Sequence, residues 1–141
     1  MERKNKVSLV LAGILFALSL CLAFGVKYVF HACPLGMGHD GKIMPCHWAE
    51  QAIFAVGIVL SVMSLLLFIF KKAGEKAAIS ASMVPVTIMA LLLPQIIIKL
   101  CMMPEMACRV SMRPAVIGVS IALLIVEVVS IIINLKKENR K

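Results

Sequence analysis

Two short stretches concentrate the reactive side chains of this chain: CPLGMGHDGKIMPCHW at 33–48 and CMMPEMACR at 101–109. They contain four of its five cysteines, Cys33, Cys46, Cys101 and Cys108. Three chemistries compete for them. The first is disulfide stapling, and four cysteines allow three connectivities. If 101–108 were one helix, the rise would separate the ends by about 10.5 Å, against the roughly 7 Å that a disulfide tolerates. Cys101 and Cys108 therefore bond to each other only if Pro104 marks a turn, and otherwise each must cross to the other stretch.

The second chemistry is soft-metal binding. Thiolate, thioether and imidazole together select Cu(I) or zinc, and the candidate ligands are Met44, His47, Met102, Met103 and Met106. No CxxC or HxxxH spacing supports it, and Cys46 and His47 are adjacent, so their side chains do not converge on one ion unaided. Oxidised cysteines would also remove the thiolates and leave only Met and His. Copper or a similar soft metal is the only candidate cofactor. The third chemistry is thiol–disulfide exchange, which wants a cysteine near a cation or a helix N-terminus. Cys46 before His47 and Cys108 before Arg109 fit that, but the usual redox spacing is missing. A plain structural reading stands beside all three. Asp40-Gly41 is a turn signal, Pro45 suits the first residues of a helix, and Trp48 is placed as an interfacial aromatic.

Elsewhere the candidates are polar residues in apolar surroundings. Glu127 stands nine residues before Lys136 in an otherwise apolar run. An acid at such a position is a functional candidate by default: a neutral hydrogen-bonding group, a proton or cation relay, or a contact with another subunit. Gln95 and Lys99 follow Pro94, where a bend is expected. Cys21, inside the first apolar run, reads as a small buried hydrophobe.

The elements that must position these residues are set by composition. Apolar residues make up 62% and charged ones 16%, and the mean hydropathy is +1.02. Four blocks, 7–30, 51–70, 77–100 and 115–135, carry the excess. Each is as long as the ~20 helical residues that span a bilayer core, and in lipid the helix is the structure that satisfies its own backbone. Stretches such as 53–70 lack the polar stripe of a soluble helix. The basic start MERKNK resembles a signal peptide, but the run after it is longer than the ~7–15 residues of such a peptide, so block one is retained as a span. Small residues four apart (Gly13/Ala17, Cys21/Gly25, Gly57/Ser61, Gly118/Ala122) permit close helix contact.

Orientation follows from the fifteen Lys and Arg residues. Ten flank the chain ends and the 71–76 link: Arg3, Lys4, Lys6, Lys71, Lys72, Lys76, Lys136, Lys137, Arg140 and Lys141. Five flank the other loops: Lys27, Lys42, Lys99, Arg109 and Arg113. Positive residues mark the cytoplasmic side, so both termini are expected there. The net charge of +8 is then a topology signal that suits anionic headgroups, and nucleic-acid binding is not its meaning.

The two halves echo each other, each being helix, cysteine-bearing loop with a Met-Pro pair, and helix. The elements DGKIMPCHW and CMMPEMACR resemble those of an uncharacterised prokaryotic family of small four-span membrane proteins. The matching positions are Asp40, Gly41, Lys42, Met44, Cys46, His47 and Trp48, then Cys101, Met102, Met103, Pro104, Met106, Cys108 and Arg109. The resemblance covers nearly the whole chain. It implies no established activity, and only an ABC-type permease as a candidate partner.

The expectation is thus an all-α integral membrane four-helix bundle in a single domain, 1–141, with both termini cytoplasmic and two Cys/Met-rich outer loops, 31–50 and 101–114. No nucleotide motif, serine triad or paired-carboxylate motif is present. A non-enzymatic accessory protein of a prokaryotic plasma membrane fits best. Its surroundings are lipid and another membrane subunit or a second copy of itself. Soft-metal handling and membrane thiol redox chemistry are the alternatives.

Overall fold

In a computed structural model of the chain, residues 2–29, 45–97 and 108–140 are described. They form four long helices. α1 runs Glu2–Phe24 and continues as a π-helical turn over Gly25–Val29. α2 runs Pro45–Ile69. α3 runs Ala73–Leu92, with a π-helical turn over Leu93–Ile97. α4 runs Arg113–Glu138, preceded by a π-helical turn over Cys108–Met112. Each holds a segment long and apolar enough to cross a membrane: Lys6–Val29, His47–Ile69, Ala73–Ile97 and Val110–Glu138, with mean hydropathies of 2.6, 2.8, 1.9 and 2.9.

The helices outrun the apolar blocks. α2 begins at Pro45 and the last helix at Cys108, both inside segments expected to be loop. Hydropathy finds where a helix is greasy, whereas its ends are set by backbone chemistry. Proline is tolerated in a first turn, where its missing N–H is not needed, and Pro45 and Pro114 both sit in first turns. Glu75 in the first turn of α3 and Lys136 and Lys137 in the last turn of α4 have the charge signs that the helix dipole favours.

α3 packs most extensively on α4 and α1 on α2, while α1–α4 and α2–α3 contacts close the ring. With four helices running alternately up and down, both chain ends and the α2–α3 link fall at one end, hereafter the terminal end. The starts of α2 and α4 fall at the other, the loop end. The fully buried positions recur at steps of three and four. Among them are Ser8, Ala12, Leu15, Ser19, Leu22 and Val26 on α1 and its π-helical continuation, and Ala49, Ile53, Gly57, Leu60, Ser64 and Leu67 on α2. On α4 they are Met112, Val116, Ser120, Leu123, Glu127, Ser130 and Asn134. That spacing is the seam of helices packed at shallow angles.

This seam corrects the view of 53–70 as lacking a polar stripe. Ser61 and Ser64 lie there, 5% and 0% exposed, and they face inward. Around them Ile58, Val59, Val62, Leu65 and Phe68 face outward. The bundle is apolar outside and locally polar inside, as suits a lipid solvent that offers a polar group no partner.

One small-residue pair carries a close helix contact. A Cβ at Gly57 would fall 2.9 Å from the N, Cα and Cβ of Ala23, so the backbones of α1 and α2 come close together there. Gly118 faces open space. Cys21 was expected to be buried but is exposed on the bundle surface, because the seam of α1 passes through Ser19 and Leu22 on either side of it. Pro85 lies inside α3 on its outer face, where the helix is continuous. Pro94 is buried within the π-helical turn, and a widened turn is one way a helix absorbs a missing N–H.

Candidate functional site: a buried polar seam around Glu127

The site is built from α3 and α4 with help from α1. Glu127 is 0% exposed. Thr87 Oγ1 lies 2.6 Å from Glu127 Oε1, and also 3.2 Å from the carbonyl of Met83 one turn back on its own helix. Glu127 Oε2 has no hydrogen-bond partner among the described residues, and the same holds for Ser120 Oγ one heptad away. Three residues on from Glu127, Ser130 Oγ pairs with Ser80 Oγ at 3.1 Å. Four further on, Asn134 Nδ2 donates to the Ser130 carbonyl at 2.9 Å and lies 3.3 Å from Ser130 Oγ. Asn134 Oδ1 accepts from Ser8 Oγ at 3.2 Å. Between α1 and α2, Ser61 Oγ donates at 2.8 Å to the Gly57 carbonyl and stands 3.1 Å from Ser19 Oγ.

From Ser130 toward the terminal end the polar residues form a ladder, Ser130 to Asn134 to Ser8, while the Glu127–Thr87 pair stands apart from it one turn away. A separate surface groove of about 290 Å³ at the terminal end is lined by Val7, Ile133, Lys136, Lys137 and Arg140. Val7 and Ile133 are the chain neighbours of Ser8 and Asn134. Toward the loop end the seam past Glu127 continues through Leu123, Ser120, Val116 and Met112, each 0% or 1% exposed.

No cation faces Glu127 at its depth. The sequence places none on α1 between Lys6 and Lys27, none on α2 before Lys71, none on α3 between Lys76 and Lys99, and none on α4 between Arg113 and Lys136. A carboxylate buried there would stand uncompensated, which is costly in an apolar interior.

The other candidates stand apart from this centre. Gln95 is exposed on the π-helical turn after α3. His47 is half-buried near the start of α2, next to Trp48, which is 61% exposed. Cys33, Met44, Lys99, Cys101, Met102, Met103 and Met106 lie outside the described residues, and Cys46 and Cys108 are described by backbone alone, at the loop-end starts of their helices. Among the described residues no group of three His, Cys, Asp or Glu side chains gathers. Near the loop end, Lys27 Nζ sits 4.7 Å from the centre of the Phe54 ring, and Phe24 stacks on Tyr28 and meets Phe54 edge-on. That is an interfacial arrangement of cation and aromatics.

Reading the residues singled out Glu127 and missed its company. Thr87, Ser80, Ser130, Asn134 and Ser8 are each unremarkable alone. The available signal was their period: Ser120, Glu127, Ser130 and Asn134 recur at seven, three and four along one apolar helix, so they share a face.

Four apolar helices packed in a ring around such a seam define a small polytopic membrane protein. A family profile described as Domain of unknown function (DUF4418) matches residues 9–133, and the chain belongs to that family. The match takes in all four helices. Comparison with curated proteins finds no match, and neither does comparison with solved structures.

Proposed function

We propose that the protein is a non-enzymatic accessory subunit of a prokaryotic plasma membrane, with both termini cytoplasmic and its outer loops stapled by disulfides among Cys33, Cys46, Cys101 and Cys108. The observation that carries this reading is how the interior is used. Most of the inward polar groups pair across neighbouring helices, Ser8 with Asn134, Ser19 with Ser61, Ser80 with Ser130 and Thr87 with Glu127. Such pairs hold a bundle together in lipid, whereas a substrate path would leave its polar lining facing a passage.

The cation distribution supports the orientation. Lys6, Lys71, Lys72, Lys76, Lys136, Lys137 and Arg140 cluster at the terminal end, against Lys27 and Arg113 at the loop end of the described helices. A partner of the accessory subunit is another integral membrane protein, with an ABC-type permease the first to test. Crosslinking in native membranes followed by co-purification tests the assignment. A defined membrane partner recovered in fixed ratio is the expected result. Recovery as a lone monomer from crosslinked native membranes would overturn it.

A further inference from the structure

We propose that the terminal-end groove between α1 and α4 seats one anionic phospholipid, its phosphate held by Lys136, Lys137 and Arg140 and an acyl chain laid over Val7 and Ile133. The seat requires only that the chain spans a bilayer. It is independent of the accessory role and of which side of the membrane the terminal end faces.

The first support is the make-up of the groove. Its volume of about 290 Å³ is walled by Val7 of α1, by Ile133 of α4 and by three cations. Ile133, Lys137 and Arg140 follow one another at four and three residues, so one helical face presents them together. The acid of this segment lies elsewhere, since the Glu138 carboxylate stands beside Gly74 at the start of α3. Lys76 of α3 is close enough to Lys137 for the two charges to repel, and a bound anion would relieve that repulsion. The C-terminal end of α4 opposes an anion with roughly half a negative charge, which three full cations outweigh. Arg140 can grip a phosphate through two N–H groups, while the lysines act as point charges.

The second support is depth. The apolar span of α1 begins at Lys6 and that of α4 ends at Glu138, so the groove stands where hydrocarbon gives way to headgroups. Val7 and Ile133 lie on the hydrocarbon side of the cations. A free phosphate has no use for an apolar wall, whereas a phospholipid does. The third support is the continuation of that wall. Ile14, seven residues on from Val7, is 41% exposed, and Val126, seven before Ile133, is partly buried. Residues seven apart share a helical face, so the apolar track runs on along the α1–α4 crevice for about 10 Å.

Native mass spectrometry of the full chain, released from micelles doped with phosphatidylglycerol or with phosphatidylcholine, tests this. One phosphatidylglycerol should be retained, with an affinity about tenfold or more above that of phosphatidylcholine, and equimolar glycerol phosphate should not displace it. Lys136→Gln with Arg140→Gln should weaken retention by about 25-fold, roughly fivefold for each cation at an anionic surface. Lys71→Gln with Lys72→Gln removes the same charge from the α2–α3 link across the ring and should weaken it by less than about twofold, because distant exposed charges are screened. Arg140 lies beyond the end of α4, so Arg140→Gln alone, with an expected loss of about fivefold, reads the site if circular dichroism shows the double variant to be misfolded. Equal retention of the two lipids, or equal losses in the two double variants, would reduce the cluster to general surface charge and overturn the seat. Displacement by glycerol phosphate would show that phosphate alone is recognised and overturn the lipid as its occupant.

Discussion

Gly57 on α2 lies directly against Ala23 on α1, so close that a methyl group at Gly57 would sit 2.9 Å from three atoms of Ala23, two of them backbone. No flexible side chain is there to give way, and the helices themselves must move. Gly57→Ala should therefore destabilise the bundle by about 1–3 kcal/mol, the usual range for overpacking, despite the better helix propensity of alanine. Gly118→Ala, on a face with nothing within 4 Å, should leave stability unchanged or slightly raised. Unfolding of both variants in detergent by denaturant titration checks the contrast. Equal effects would mean that the α1–α2 contact is not the tight one.

The Ser80–Ser130 pair should contribute little but measurably. Hydrogen bonds between transmembrane helices average about 0.6 kcal/mol and reach about 1.7. A double-mutant cycle of Ser80→Ala and Ser130→Ala should return a coupling in that range, read from unfolding in detergent. The cycle is needed because Ser130 also meets Asn134, so the single variant removes two contacts. A coupling of zero would indicate that the two hydroxyls satisfy themselves on their own helices.

Glu127 separates volume from charge. Glu127→Gln keeps the shape and can still hydrogen-bond Thr87, so it should change stability by no more than about 1 kcal/mol, the worth of a typical bond. Glu127→Ala opens a cavity at a position with 0% exposure and should cost about 2 kcal/mol or more. Thr87→Val removes the hydroxyl while nearly keeping the volume and should fall between the two. If Glu127→Ala were as stable as the natural protein, the side chain could not be part of the packed seam.

The bundle itself was legible because its solvent is lipid: a run of apolar residues about 20 long has few other fates. What hydropathy could not show is which way each helix turns. With Ile58, Val59 and Val62 facing outward and Ile53, Leu60 and Leu67 inward, both faces of α2 are greasy, and the distinguishing marks are small: Gly57, Ser61 and Ser64. Glu127 was conspicuous because one acid in a span is costly. Thr87 was not, because a threonine in a span has its own backbone carbonyl to bond, and only the packing of α3 on α4 brings it to the carboxyl. Cys21 was misplaced for the same reason, since its neighbours on both sides in the sequence, Leu20 and Leu22, give no clue to its face.

That exposed position of Cys21 makes the loop cysteines countable. Cys46 and Cys108 lie at the starts of their helices at the loop end of the bundle, while Cys21 lies on the outer surface of α1, within the span. If the loops are stapled in an oxidising compartment, the denatured chain treated with an alkylating reagent before reduction should gain a single adduct, at Cys21. After reduction it should gain one on each of the five cysteines. Intact-mass measurement of protein purified with its thiols blocked at lysis reads the difference directly. Five adducts without reductant would remove the staples and return the free thiolates, with Met44, His47, Met102, Met103 and Met106, to the soft-metal reading. Copper titration of the natural chain against one with scrambled loops would then decide that reading. Three adducts would mean one bridge, and digestion would show whether it joins the two loops or closes within one of them.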